Sequence, residues 1–206
     1  KVYLISKTPN TNQPHKVLKQ LSNEVSKTIY FPISRTCTGA FATKEVGLRN
    51  KSYPFDWCGQ SYKTVSNILD NGIDYLFDDY EIASNVDDYP PRIWDKHYNM
   101  LFFHEEEDNI QETKEKYQRR YNNLITDLKN SDRVILVQSS SCERTLTSHF
   151  KEWEDYFIDK IPDGTIDDNS LDCVKESVLK INPNIKIQVT GHIIWEELLK
   201  ELKTLA

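Results

Sequence analysis

One cysteine and two histidines are the residues of this sequence best suited to nucleophilic chemistry. Cys37 follows an apolar run and stands where a helix is predicted to begin, with Arg35 two residues before it. The unpaired N–H groups and partial positive charge of a helix N-terminus favour a thiolate, and a nearby guanidinium acts in the same direction. His104 and His192 also follow apolar runs. A thiolate that shares a proton with an imidazole is the centre of a cysteine hydrolase site.

Each of these three residues could equally be structural. A cysteine can simply pack at a strand-to-helix turn, as most free cysteines do. His104 precedes the acidic run 105–108, which is typical of a solvated surface and would raise the pKa of the imidazole. His192 stands at a predicted helix start, where packing alone would account for it. The residue types therefore leave catalytic and structural roles open.

Further residues are predicted to support such a site. Asp56 lies between two large aromatic residues and is the best candidate for a buried carboxylate, which could orient a histidine or pair with Arg120. Arg120 belongs near the inward face of a predicted helix, because it lies three residues after Tyr117. Trp57, Arg120 and Ser139 are candidate substrate-binding residues, although the serine run that begins at Ser139 also matches the helix-capping box S-x-x-E.

Apolar periodicity places these residues on an alternation of strands and helices. Strands are predicted over residues 1–6, 28–34, 98–103, 133–138 and 185–189. Helices are predicted over residues 14–27, 37–46, 62–69, 109–129, 140–157, 171–179 and 192–205. Segment 74–97 is acidic, rich in tyrosine and interrupted by two prolines, so we interpret it as an irregular insertion or lid. The alternation predicts a single α/β domain over residues 1–206, with a mostly parallel sheet covered by helices on both faces, as in Rossmann-like folds.

The predicted alternation has a chemical consequence, because sites in open parallel sheets form at the carboxyl ends of the strands. Cys37, His104, the serine run and His192 each follow the end of a predicted strand. We therefore expect all four at one edge of the sheet. Backbone N–H groups at the start of the Cys37 helix could bind a developing oxyanion there.

Composition narrows the class of protein. The 206 residues carry a net charge of −6 and their basic side chains are dispersed, which predicts neither a nucleic-acid-binding surface nor attraction to anionic membranes. No apolar run approaches the ~20 residues of a membrane span. The four cysteines lack a paired C-x-x-C spacing, so we expect reduced thiols in a cytoplasmic protein. No glycine-rich phosphate loop or serine nucleophile elbow is present, and we expect no cofactor and no metal.

The sequence also resembles a known family, over residues 33–202. The shared features are Cys37, Val46-Gly47-Leu48-Arg49, Pro54-Phe55-Asp56-Trp57, the strand ending Phe103-His104, Tyr117-Gln118-Arg119-Arg120-Tyr121, Arg133-Val134-Ile135-Leu136-Val137, and His192 followed by Trp195. In these it is similar to the papain-like cysteine peptidase family of unsettled function found in bacteria and large DNA viruses. Phe-Asp-Trp and the downstream Arg-Arg helix are the most specific part.

The resemblance implies a thiol hydrolase acting on peptide or isopeptide bonds, in the host cytoplasm if the source is a virus. Cys37 would be the nucleophile, with Asp56 orienting or supporting the site. A papain-like α+β fold, the alternative to the Rossmann-like one, makes His104 the base, whereas the Rossmann-like fold favours His192; we favour His104.

Two other functions stay open from the sequence. Acidic pairs at Asp78-Asp79 and Asp87-Asp88 could hold a divalent cation and a sugar nucleotide, as in many glycosyltransferases, with Arg120 assisting. A binding module that keeps the fold without catalysis is the third possibility. Substrate and oligomeric state do not follow from the sequence.

Overall fold

The computed structural model describes residues 27–34, 37–83, 92–105, 107–138, 171–191 and 195–206. Its strands are β1 (Thr28–Pro32), β2 (Cys58–Gly59), β3 (Tyr80–Ala83), β4 (Arg92–Asp95), β5 (Met100–Phe102), β6 (Arg133–Gln138) and β7 (Lys186–Gly191). Its helices are α1 (Thr38–Glu45), α2 (Tyr62–Asn71), α3 (Ile110–Lys129), α4 (Leu171–Ile181) and α5 (Trp195–Leu205), and a 3-10 turn, Glu107–Asn109, precedes α3.

A parallel sheet of three strands, in the order β1-β6-β7, forms one half of the framework. Its register pairs Pro32 with Val137, and Val137 in turn with Thr190. The carboxyl ends of the three strands therefore lie side by side, as the alternation of elements predicted. Cys37 follows the first of these ends.

Both faces of the parallel sheet are buried, which accounts for the apolar residues at successive positions of its strands. Val134 and Leu136 of β6 pack into a large core with side chains of α2, α3 and α4. Ile135 and Val137, on the opposite face, pack with residues of α1 and α5. The predicted α/β class, with helices on both faces of a parallel sheet, is confirmed.

A second sheet is antiparallel and was not expected from the sequence. Its four strands run in the order β2-β5-β4-β3. Strand β5, which precedes His104, lies here and pairs with β2 and β4. The prediction that the His104 strand belongs to the parallel sheet is therefore wrong. Residues 80–83 and 92–95, within the predicted lid 74–97, form β3 and β4, so this segment is partly regular.

Helix α3 agrees closely with the predicted helix 109–129. Its inward stripe contains the fully buried Tyr117, Leu124 and Leu128. Asn109 occupies the N-cap position, but its side chain makes no capping hydrogen bond. The predicted strand 1–6 and helix 140–157 lie outside the described residues, as does the predicted helix 14–27 except for Lys27.

Candidate active site

Cys37 occupies the N-cap position of α1, where the chain leaves the parallel sheet. The helix is formed from its first turn, because the Phe41 N–H donates to the Cys37 carbonyl over 2.9 Å. The Cys37 side chain is half-buried and makes no capping hydrogen bond to the helix.

The protonation state of Cys37 differs from the one that its helix position predicts. Burial raises the pKa of the thiol, and a hydrogen bond with the residue's own backbone only partly opposes this. The neutral thiol is therefore the resting form at neutral pH. Arg35, whose charge entered the prediction of a thiolate, lies outside the described residues.

Glycine at position 39 allows α1 to approach the strand ends closely. A Cβ at Gly39 would lie 2.5 Å from Ser34 Oγ and 3.2 Å from the Val137 carbonyl oxygen of β6. On the other side of the same turn, the Gln60 amide donates to the Ser34 carbonyl over 2.7 Å. Helix α1 and its N-terminal cysteine are thereby fixed to the edge of the parallel sheet.

Asp56 is fully buried, as its aromatic neighbours predicted, and its ion-pair partner is Arg49. Its Oδ2 accepts hydrogen bonds from Arg49 and, over 2.6 Å, from the Tyr53 N–H. Oδ1 accepts none within the described residues. Burial raises the pKa of Asp56 to about 6, although Arg49, the Tyr53 N–H and the charge of Arg120 each lower it.

Arg49 joins the Cys37 helix to the segment that carries Asp56 and Trp57. Its guanidinium donates to Ser52 Oγ over 2.7 Å and to the carbonyl of Ala40, in α1, over 3.5 Å. The same group lies over the indole of Trp57, with Cζ 4.9 Å from the ring centroid. This cation is almost completely buried and bonded on several sides, and its contact with the ring favours the observed orientation of Trp57.

Trp57 lies between the Cys37 helix and His104. Its ring makes an edge contact with Phe41 of α1 at 5.1 Å between centroids. A second edge contact, at 6.2 Å, joins it to His104. His104 itself is exposed. The indole of Trp57 thus links the Cys37 helix to His104, although Cys37 and His104 follow strands of different sheets.

Arg120 points inward, as predicted, whereas Arg119 is exposed. Its guanidinium lies over the Tyr117 ring, 4.9 Å from the centroid, and its buried Nη1 donates no hydrogen bond within the described residues. The Tyr117 hydroxyl donates to Glu105 over 3.1 Å. The first carboxylate of the acidic run after His104 is therefore buried and bonded rather than solvated.

The other predicted residues are distributed as follows. Asp78 pairs with Lys114, and Asp79 pairs with Lys96 at 3.1 Å. No cluster of histidine, cysteine or acidic side chains suited to a metal occurs in the part of the chain that the structure describes. Ser139, His192, Cys142 and the Asp87-Asp88 pair lie outside that part.

Sequence reasoning missed three residues of this region. Arg49 appeared only within the family resemblance, and an isolated arginine in a loop carries no signal of burial. Gln60 and Phe41 were not singled out at all. Phe41 could have been found, because it follows Cys37 by four residues and so lies on the same helix face.

The two remaining described cysteines differ from Cys37. Cys58 is fully buried and its thiol donates to the Pro54 carbonyl over 3.3 Å, and burial raises its pKa well above the ordinary value. The Cys173 thiol contacts the Tyr62 carbonyl at 3.7 Å. Neither follows the end of a parallel strand. None of the described helices is both long and apolar enough to cross a bilayer.

The chain was compared with known proteins. No curated protein and no solved structure matches it. One family model matches residues 28–152, which is more than half of the chain and includes Cys37, Arg49, Asp56, Trp57 and His104. Its description names a cysteine peptidase. The chain belongs to the family described as "Putative papain-like cysteine peptidase (DUF1796)".

Proposed function

We propose that this protein is a cysteine hydrolase in which Cys37 attacks an acyl carbonyl and His104 transfers the proton. The observation that carries the proposal is the row of contacts from α1 through Phe41 and Trp57 to His104. It supports the proposal, because His104 contacts Trp57 and Trp57 contacts the helix that begins at Cys37. The description of the family supports the same class of reaction.

The reaction would proceed in two steps. Cys37 Sγ attacks the carbonyl carbon while its proton passes to His104, and the oxyanion forms beside the backbone N–H groups at the start of α1. His104 then returns the proton to the leaving amine or alcohol as the bond to it breaks, which leaves a thioester on Cys37. Water, deprotonated by His104, hydrolyses that thioester and restores the thiol.

The raised pKa of Cys37 fixes the timing of the first proton transfer. Because the resting group is a neutral thiol, the imidazole has to accept its proton during the attack rather than before substrate binds. The role of Asp56 is to support the site through Arg49 and Trp57. We expect the substrate to be a peptide or another small acyl compound.

The sugar-nucleotide transferase draws no support from the acidic pair at Asp78 and Asp79, since both carboxylates are already paired with lysines. A non-catalytic binding module predicts instead that Cys37 has no special reactivity. The acyl-transfer experiment described next distinguishes both of these possibilities from the hydrolase.

The experiment is acyl transfer from p-nitrophenyl acetate, followed by the release of p-nitrophenolate and by intact-protein mass spectrometry. We expect one acetyl group per chain, mapped to Cys37, and no acetylation of Cys37→Ser. Cys173→Ser is the matched control and should react like the unmodified protein. His104→Ala should slow acylation by a factor of about 100 or more, in the range of general-base catalysis.

Two results would contradict the proposal. Acetylation that is spread over several cysteines, or that is unaffected by His104→Ala, would remove the assigned pair. If His192→Ala rather than His104→Ala abolished acylation, the nucleophile would stand and the base would be His192.

A further inference from the structure

Two aromatic side chains beside the proposed nucleophile form an exposed apolar surface, which we call the aromatic shelf and define as Phe41 and Trp57. Phe41 is 46% exposed, and only Tyr75 and Leu179 are comparable among the large apolar residues of the described ranges. Trp57 is half-buried and meets Phe41 edge to face, with an interplanar angle of 85°. Contiguous exposed apolar surface is characteristic of ligand-binding sites.

The position of Phe41 relates the shelf to the thiol. Phe41 lies four residues after Cys37, and the hydrogen bond between their backbone groups shows that the intervening turn is helical. Side chains four residues apart lie on the same face of a helix. The shelf is therefore within reach of the side chain next to a carbonyl group at Cys37.

The chemistry of the shelf excludes one class of side chain. The indole of Trp57 already has the guanidinium of Arg49 over its ring, with Cζ 4.9 Å from the centroid. A cation attracted to an aromatic ring uses the negative potential of that ring, which the buried Arg49 already satisfies. A second cation would find this face of the ring already occupied.

We propose that the aromatic shelf is the specificity site of this enzyme, selecting acyl donors with an apolar or aromatic side chain next to the reacting carbonyl and rejecting cationic ones. This inference rests on the proposed function, because it takes Cys37 as the group that attacks. Phe41 is its specificity-determining residue. Trp57 is held in place by Arg49, so the shelf exists before the substrate binds.

The experiment compares two affinity labels, N-acetyl-phenylalanyl and N-acetyl-lysyl chloromethyl ketone. Each alkylates a thiol: the new S–C bond forms at the methylene carbon, chloride leaves, and the thiol proton is lost to the medium. The rate of Cys37 labelling is divided by the iodoacetamide rate for the same variant, which cancels any change in the reactivity of the thiol itself. We expect the phenylalanyl label to react about tenfold faster than the lysyl label, as one well-placed apolar contact allows.

Phe41→Ala should reduce the normalised rate of the phenylalanyl label by about five- to tenfold and leave that of the lysyl label within about twofold. Tyr75→Ala is the matched control, since it removes another exposed aromatic ring, 58% accessible, away from Cys37, and should change neither rate. Equal rates for the two labels in the unmodified protein would overturn the proposal. So would equal losses for both labels in Phe41→Ala.

Labelling also separates the two proposals. A chloromethyl ketone modifies any accessible thiol, even one without hydrolytic activity. A preference for the phenylalanyl label without acetylation by p-nitrophenyl acetate would retain the shelf and reject the hydrolase. Acetylation at Cys37 without that preference would retain the hydrolase and reject the shelf.

Discussion

Replacing Asp56 by asparagine should change the stability of the protein in a way that depends on pH, with a sign opposite to that of an ordinary ion-paired carboxylate. In the folded state burial raises the pKa of Asp56 from 3.8 to about 6, because desolvation outweighs the attraction of Arg49. A group whose pKa is raised by folding contributes stability below its unfolded pKa and loses it as the pH rises through the folded one. Asparagine does not titrate, so the difference between the two proteins isolates this effect.

The size of the effect follows from the two pKa values. The full displacement corresponds to about 3 kcal/mol of unfolding free energy. Of this, about 2 kcal/mol is lost between about pH 4.5 and about pH 7.5, because the group is already partly ionised in the unfolded chain at the lower value. The destabilisation caused by Asp56→Asn should therefore be larger at acidic pH and shrink by about 2 kcal/mol across that range.

Urea unfolding of both proteins at four or more pH values is the direct measurement. Asp127→Asn is the matched control, since Asp127 is also buried but has a lowered pKa: hydrogen bonds from Lys51 and Tyr53 outweigh its desolvation. Its stabilising effect is lost only as the pH falls through its ordinary value, so the cost of Asp127→Asn should stay nearly constant over the same range. A destabilisation by Asp56→Asn that grows with pH would show that Arg49 dominates over burial, and would refute the reasoning.

Four further substitutions, the last of them in a double variant, test the packing around the site by urea unfolding. Gly39→Ala should destabilise by about 1–2 kcal/mol despite the better helix propensity of alanine, because the new Cβ meets the Val137 carbonyl; a gain in stability would show that α1 is free to shift. Tyr53→Phe should cost about 1–2 kcal/mol, since it removes the 2.8 Å hydrogen bond to Asp127, and an unchanged midpoint would mean that the ion pairs with Lys27 and Lys51 alone satisfy that carboxylate. Arg49→Met should cost about 3 kcal/mol or more by leaving Asp56 unpaired, whereas adding Asp56→Leu should recover most of the loss; additive losses would contradict the pairing.

The regular elements of the parallel sheet could be predicted from the sequence because they are buried on both faces. Successive apolar residues mark β1 and β6, and strand β6 begins and ends where the periodicity placed it, at Arg133 and Gln138. Helix α3 was equally clear, since an apolar stripe with a period of 3.6 residues, sustained over 20 residues, is typical of an amphipathic helix. Gly47, with φ of +73°, ends α1 as its sequence position suggested.

The antiparallel sheet could not be found in the same way, because its strands are too short to show a period. Strand β5 has three residues and β2 has two, and only their pairing in space identifies them. The apolar run before His104 was therefore assigned to the parallel sheet. The burial of this strand could be predicted, but the strands with which it pairs could not.

The candidate site shows a similar limit of prediction from sequence. The burial of Asp56 could be inferred from its aromatic neighbours, whereas the identity of its ion-pair partner could not. Arg49 lies seven residues away, in a loop without periodicity, while Arg120 had a helix position that favoured an inward orientation. Both guanidinium groups lower the pKa of the carboxylate. Asp56 forms its ion pair with Arg49, because the loop conformation brings these two side chains into contact. In this conformation Arg49 also donates hydrogen bonds to Ser52 and to the carbonyl of Lys51.

The cost of burying Asp56 gives a reason to connect this pair with function. A buried ion pair whose acid has a raised pKa is a weak source of stability, and apolar replacements often serve as well. What an apolar pair would not supply is the guanidinium of Arg49, which contacts Ala40 of the Cys37 helix and the ring of Trp57 at the same time. Because that helix follows the parallel sheet and His104 follows the antiparallel one, a rigid connection between them is required if a neutral thiol is to pass its proton directly to the imidazole. Arg49, paired with Asp56, contacts both that helix and Trp57, whose ring in turn contacts His104.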